Sequence, residues 1–405
     1  MSRKGAIRIG GVGCSLVDYL YRDVSFGDGV FKEYVSQRPG DGGIIPGGLV
    51  FSEDLEAYSG KTFSGIARHL LGGKAPDTIN LGGPAIVALV HAAQLLEEEG
   101  IEVSFFGAVG DDSGGKQIDS FLEKTPVKVH LETFSRKASP ATTVLSDPRG
   151  NGGRGERSFI NTLGAALSYQ PEMIPHAFFR SDIALFGGTA LVPAIHDNLG
   201  ALLRQVKEQG GMSVVGTVYD FRNEQRFPDA TWPLAGEDGW KDVDLLVTDA
   251  EEAFRLSGER DIEKAARMFI DLGVGAAIIT QGADSLLLWV GKHNSAGFLL
   301  PRRSLFPVSA WVDRELEAHP EKRGDTTGCG DNFLGGLLSS LAEQLQNRST
   351  SAAGIDLEEA LAWGAASGGF ACFHLGGMYH QKTPGEKRKL LEPIVADYRR
   401  QLGRG

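Results

Sequence analysis

Gly324-Asp-Thr-Thr-Gly-Cys-Gly-Asp-Asn-Phe-Leu-Gly-Gly336 is the stretch on which the reading of this 405-residue chain turns. Two aspartates flank a short glycine-spaced turn. Behind it Leu334, Leu337, Leu338, Leu341 and Leu345 recur on one helical face. A turn at a helix start leaves backbone N–H groups without intrahelical acceptors, here expected at Gly328, Cys329, Gly330 and Asp331. Those donors and the helix dipole suit an anion such as a phosphoryl group. A carboxylate at Asp331, at the mouth of this cradle, is placed to take the proton of an attacking hydroxyl. A lone aspartate before a helix would simply be a cap. Two acids, two threonines and two turn glycines exceed what a cap requires.

Outward from this turn, short apolar runs end repeatedly in glycine or polar residues, at 6–12, 103–109, 183–186, 213–219, 244–248 and 276–280. Helical periodicity lies between several of them, as in Ile86, Leu89, Val90, Ala93 and Leu96. Alternating strands and helices imply right-handed βαβ units and a parallel sheet covered on both faces. Ligands of such sheets sit beyond the carboxyl ends of the strands. Two regions break the rhythm. Residues 127–160 read as a strand–turn–strand appendage, and residues 21–78 are rich in Gly and polar residues, with a short helix expected at 65–71. From Gly385 onward a charged amphipathic helix is expected.

The composition narrows the partners. The net charge of −11 lacks the basic face of a nucleic-acid binder, so no nucleic-acid partner is expected. Cys14, Cys329 and Cys372 are odd in number and far apart in sequence, which predicts a reducing compartment and no disulfide framework. No hydrophobic run follows the basic start, and no apolar stretch approaches the ~18 residues of a membrane span. The expected address is cytoplasmic, away from any membrane. The 55 glycines gather in pairs near strand ends, which suggests backbone-lined corners rather than a linker.

The string from Asp325 to Asp331, with Phe333 and Gly335-Gly336, resembles the C-terminal signature of the ribokinase-like (PfkB) carbohydrate kinases, with Cys329 where the family usually has Ala. Motifs of the same family follow in order. Gly10-Gly-Val-Gly-Cys-Ser-Leu-Val-Asp18 resembles its first strand and substrate-binding Asp. Asn80-Leu-Gly82-Gly83 with Phe106-Gly107-Ala-Val-Gly110 resembles its first signature. Glu156 to Gly164 resembles the strand returning from the lid, and Asp220-Phe-Arg222 a substrate-side strand end. Asp249-Ala-Glu-Glu252 stands in the place of an Asn-x-x-Glu, and Thr280-Gln-Gly282 at a nucleotide-side strand end.

The resemblance implies a single domain over 1–405 with a three-layer α/β/α ribokinase-like fold, a mostly parallel central sheet and a small β-sheet lid. Parts of 14–60 and 110–165 would form the lid, with 21–78 atypically long. It implies an ATP-dependent transfer to a sugar hydroxyl, with Asp331 as base and Gly328, Cys329 and Gly330 in the anion hole. Asp18, Gly82, Gly83 and Asp220 would meet substrate. Thr280, Gly282 and Asp249 would meet nucleotide, and Glu252 would organise Mg²⁺ through water. Asp325 and Thr327 would hold a monovalent cation such as K⁺. A homodimer through the lid is a further expectation. Val87 stands where the first signature commonly has Asn, and Asp249 replaces the usual Asn.

A nucleoside is the rival substrate, for which Phe26, Phe31, Tyr34 or Phe51 would supply a stacking surface. A phosphosugar would call on Arg22, Arg38, Arg157 or Arg222. From another class, a non-catalytic sugar- or nucleotide-sensing module would be expected to lose the base or the turn glycines, and this chain keeps both. Gly110 to Gln117 nearly spells a P-loop, but Gln117 replaces the Ser/Thr that would hold Mg²⁺. Gly11-Val-Gly13 is an incomplete dinucleotide fingerprint, with Leu16 at the third glycine position.

Overall fold

Apolar runs closed by glycine do become the strands of a sheet. The computed structural model describes residues 6–38, 40–153, 155–324, 326–348 and 354–404. Its strands are β1 (Arg8–Gly13), β2 (Leu16–Tyr21), β3 (Leu49–Phe51), β4 (Thr78–Gly82), β5 (Glu102–Gly110), β6 (Lys128–Phe134), β7 (Ala141–Asp147), β8 (Glu156–Thr162), β9 (Ile183–Gly187), β10 (Met212–Gly216), β11 (Leu245–Asp249), β12 (Ala276–Thr280), β13 (Ser285–Val290) and β14 (Leu305–Pro307). Nine of them form one sheet in the order β14-β13-β12-β11-β10-β9-β1-β5-β6. From β6 to β12 the pairing is parallel, and β13 and β14 turn back antiparallel at one edge. Strands buried on both faces, such as Ile183–Gly187 and Met212–Gly216, are what helices on each side of a parallel sheet produce.

The helix Pro84–Leu96 is buried all round because it lies between this sheet and the long helix Cys329–Arg348. That helix packs in turn along Leu357–Ala371. The leucine face anticipated behind the turn is real: Leu337, Leu338 and Leu341 are fully buried, each contributing about 1.5–3 kcal/mol by leaving water. The C-terminal helix Glu386–Gln401 closes the same layer and anchors through Leu391, Ile394, Val395 and Tyr398.

The remaining five strands form a second sheet, in the order β3-β8-β7-β2-β4. Here the sequence reading needs correction at one point. β6 is not part of an appendage: it pairs with β5 as the last strand of the large sheet, and its alternating exposure is that of an edge. Residues 78–82 form β4, hydrogen-bonded to β2, and run directly into the helix Pro84–Leu96.

Residues 21–78 are more ordered than their composition suggested. They carry helices Ser52–Ser59 and Phe63–Leu71, the second capped by the Thr62 hydroxyl and ended by left-handed Gly72. Phe31, Tyr34, Ile44, Leu55 and Ile66 from this segment pack on Val50, Leu145 and Ile160 of the small sheet as a separate apolar core. They cover one face of that sheet.

Candidate active site

The long helix begins at Cys329, after Gly328 in the left-handed region with φ of 74°. A Cβ at Gly328 would stand 2.5 Å from the Gly377 Cα, so this backbone conformation and this close approach both require glycine. Asn332 clamps the turn from behind. Its side-chain N–H₂ donates to the carbonyls of Gly328 at 2.8 Å and Gly377 at 2.7 Å. That leaves its Oδ1 to accept from His91 Nδ1 at 2.5 Å, while His91 Nε2 accepts from the Ser367 hydroxyl at 2.7 Å. Complete burial, with the charge of Lys387 nearby, holds His91 well below its usual pKa, in keeping with a neutral ring that donates on one side and accepts on the other.

The turn is less open than the sequence implied. The Cys329 N–H points to the Thr326 carbonyl at 3.3 Å, so the free donors centre on Gly330 and Asp331. A Cβ at Gly330 would meet nothing within 4 Å, which places this backbone at open space. Asp331 is half-buried in the first turn, and removal of water by the surrounding protein pushes its carboxyl up to about 6. Thr327 sits exposed in the same turn, and Asp325 lies outside the described residues.

Strand register builds the facing wall. Asp18 on β2 is opposite Asn80 on β4 and Thr142 on β7; Thr142 is opposite Asn161 on β8, and Asn161 is opposite Phe51 on β3. Partners in register share a face. One face of the small sheet therefore carries a row of Asn80, Asp18, Thr142 and Asn161, ended by Phe51. Asn80 packs on Gly376, whose neighbour Gly377 touches Gly328, so this face meets the turn that holds Asp331. Asp18 lies against Gly82, where any Cβ would collide with its carboxylate. Gly83 takes φ of 109° to start the helix Pro84–Leu96. Val87 reaches toward Gly377, as an ordinary packing contact.

Thr142 and Asn161 are both buried, and the Asn161 Oδ1 is a buried acceptor without a protein donor. Neither was singled out from the sequence, because only register brings them beside Asp18. Phe51 meets Phe221 edge-on at 6.3 Å, and Phe221 leans on Tyr219. Of the aromatics proposed for stacking, Phe26, Phe31 and Tyr34 belong to the cover of the small sheet, with Phe26 stacked on Phe31 at 4.3 Å. Phe51 alone of the four lies on the face with Asp18.

On the other side of the turn is a cavity of about 610 Å³, bounded by Thr280, Gly282, Val312, Arg323, Gly330 and Phe333 among others. Its mostly apolar wall, with glycine backbone at one end, has the size and character of a nucleotide site. Register places Asp249 beside Thr280 at the ends of β11 and β12. Asp249 caps its helix by accepting from the Glu252 N–H at 2.8 Å. Glu252 is buried and accepts from the Thr217 and Thr248 hydroxyls. Burial, with the charge of Asp249 beside it, raises its pKa.

Asp220 stands apart from this arrangement. It caps the helix Phe221–Arg226, accepting from the Asn223 backbone at 3.0 Å and side chain at 2.6 Å, and lies 3.4 Å from His196 Nε2. Burial pushes its carboxyl up, but these bonds outweigh that and hold it below the usual range. Each carboxylate oxygen thus already accepts one bond from the protein, so Asp220 serves its own helix start in this structure. Arg222 is likewise paired with Asp197. The P-loop look-alike resolves the same way, since Asp112 caps the following helix through the Gly115 N–H and accepts from the Ser139 hydroxyl.

Residues 77–384, well over half the chain, match the model of the pfkB family carbohydrate kinases. The chain belongs to that family. Among curated pfkB relatives, probable fructokinase-5 of Arabidopsis thaliana is 24% identical over 337 residues, covering 79% of this chain and 89% of its own. The aminoimidazole riboside kinase of Salmonella typhimurium is 27% identical over 253 residues, covering 60% and 69%. Among solved structures, the adenosine kinase of Sinorhizobium meliloti superposes with a TM-score of 0.63 at 19% identity, over 96% of this chain and 99% of its own. A probable sugar kinase of Rhizobium etli gives 0.64 at 18%, over 99% and 100%. These structures share the ribokinase fold. This pfkB protein is therefore a carbohydrate kinase, and the family implies use of ATP.

Proposed function

We propose that this kinase moves the γ-phosphoryl group of ATP to a sugar hydroxyl with Asp331 as the base. The observation that carries the reading is the position of Asp331. Its turn lies between the two halves of the site: Gly330 borders the cavity of about 610 Å³, while Gly328 touches Gly377, whose neighbour Gly376 packs on Asn80 at the end of the row that includes Asp18. Asp18, an acceptor for two hydroxyl donors, and the Gly82–Gly83 backbone hold the sugar. The small sheet acts as a lid that excludes water.

The hydroxyl gives its proton to the Asp331 carboxylate as its oxygen bonds to the γ-phosphorus and the bond to the bridging oxygen breaks. The N–H groups of Gly330 and Asp331 and the helix dipole meet the charge on the transferred group. Thr280 and Gly282 line the nucleotide. No cluster of three or more His, Cys, Asp or Glu side chains suited to a metal occurs among the described residues. Asp249 and Glu252 would hold Mg²⁺ through water, and the ion would supply charge neutralisation when bound. Asp325 and Thr327 remain the candidates for a monovalent cation.

A nucleoside is the second reading, favoured by one observation. Phe51 closes the row that includes Asp18 and meets Phe221 edge-on, an aromatic surface on which a base could stack. ADP release from Mg-ATP across sugars, phosphosugars and nucleosides, with Asp331→Asn alongside, separates these classes. Turnover on one class that is lost in the variant supports the assignment. Full turnover in the variant would remove Asp331 as base, and binding without turnover would favour a sensing module.

A further inference from the structure

The two cysteines that sequence spacing keeps apart are neighbours in the fold. Cys329 opens the helix Cys329–Arg348, and Cys372 caps the end of Leu357–Ala371, which packs along it. Their sulfurs are 3.5 Å apart, and both line the cavity assigned to nucleotide. A disulfide needs a separation near 2.05 Å, so an approach of about 1.5 Å joins them. Cys329 stands at a helix start and Cys372 at a helix end, where side-chain rotation and a small shift of the end turn can supply this.

Reactivity differs sharply among the three thiols. Burial pushes the Cys14 thiol up to about 12 and leaves it inert. The Cys329 thiol, facing Cys372 and aided by the charge of Arg323, draws the Cys372 thiol down to about 7 in spite of burial. Cys372 is half-buried at the wall of an open cavity, where a small oxidant can reach it. The plain alternative is that two small side chains merely fill the space between helix ends, as an alanine at 329 would.

We propose that Cys329 and Cys372 form a reversible disulfide in the presence of hydrogen peroxide, and that this bond switches off the nucleotide site. The Cys372 thiolate attacks one peroxide oxygen, the O–O bond breaks, and the departing hydroxide takes a proton to become water. The Cys372 sulfenic acid then reacts with the Cys329 thiol, forming the S–S bond and releasing a second water. Two thiols are oxidised and one peroxide is reduced. A dithiol reductant reverses the bond by thiol–disulfide exchange. Closing the pair draws Cys329, and with it Gly330 and Asp331, toward Cys372. A displacement of about 1 Å at reacting groups costs on the order of 100-fold in rate. Bound nucleotide would in turn shield Cys372 and slow the oxidation.

The loss of activity rests on the proposed kinase reading, whereas the bond itself does not. The test therefore reads both. The full chain is treated with peroxide, with and without Mg-ATP, then with dithiothreitol. Peptide mapping looks for a 329–372 link, with loss of two hydrogens in mass, and ADP release and binding of a fluorescent ATP analogue are measured. The expected result is a link that forms more slowly with Mg-ATP, a loss of rate approaching 100-fold, and recovery on reduction. Cys372→Ser should show the same rate before and after peroxide, whatever its starting value. Cys329→Ala should stop at a sulfenic acid on Cys372 that a dimedone probe captures. Both thiols remaining free to alkylation after peroxide would overturn the proposal, and so would a complete link with unchanged nucleotide affinity and rate. A reversible link that weakens nucleotide binding, in a protein turning over no substrate, would count against the kinase reading and support the switch.

Discussion

Replacing Asp331 with asparagine should abolish turnover while making the protein harder to unfold. The carboxyl titrates at about 6 in the fold against an ordinary 3.8, because the site strips it of water. Below pH ~3.8 both folded and unfolded chains carry the proton, and the residue contributes no pH dependence. Between there and about 6 only the folded chain keeps it, so stability falls as pH rises through that window, and the deficit is complete by pH 7. Roughly two pH units at about 1.4 kcal/mol each set a ceiling near 3 kcal/mol. Partial solvent contact lowers this to about 2 kcal/mol. Asparagine keeps the shape without the charge and removes the deficit. At about 2.1 cal/mol/K per residue, unfolding 405 residues carries about 0.85 kcal/mol/K, so Tm should rise by about 2 °C at pH 7. At pH 4 the two proteins should melt together. The loss of a general base should lower kcat by a factor of about 10²–10⁴. Calorimetry at the two pH values and steady-state ADP release provide the readouts. A variant that melts lower at pH 7, or that keeps its turnover, would refute the reasoning.

The wild-type rate should fall as pH drops through about 6, since the base must be ionised; a flat profile from pH 5 to 7 would point to another group. Gly328→Ala forces a Cβ onto the Gly377 backbone at positive φ, and should cost about 1–3 kcal/mol in denaturant unfolding as well as activity. Asn332→Ala removes the clamp between the turn and Gly377 and leaves buried His91 without its acceptor. It should lower kcat more than it raises KM for ATP, together with about 1–3 kcal/mol of stability. Asn161→Ala removes a buried acceptor from the row beside Asp18, and should raise KM for the phosphoryl acceptor with little change in KM for ATP.

What the sequence could disclose was local. Apolar runs located β1, β5, β9, β10, β11 and β12, because a strand buried on both faces needs no partner's identity to be recognised. The turn at 324–336 was legible for the same reason: its glycines, acids and helix start are contiguous. Register was not. Thr142 and Asn161 stand beside Asp18 only because β2, β7 and β8 pair as they do, and a slip of one residue would turn them to the other face. The contacts of Asn332 with His91, and of Cys329 with Cys372, join residues 241 and 43 positions apart. The cap made by Asp220 was hidden too, because a strand-end aspartate before a helix looks the same whether it awaits a ligand or caps its own backbone. Residues 21–78 concealed their order because an apolar core of scattered contacts has no period to detect.

That small core behind the second sheet decides when an entropic cost is met. A lid left bare until substrate arrives must order its loops at the moment of binding, and affinity is reduced accordingly. Here Phe31, Tyr34, Leu55 and Ile66 are fixed against Leu145 and Ile160 as the chain folds. The ordering is complete before any ligand is met. On the proposed reading, closure would be the swing of a finished body about its connections to the large sheet, leaving substrate contacts free to set position and specificity.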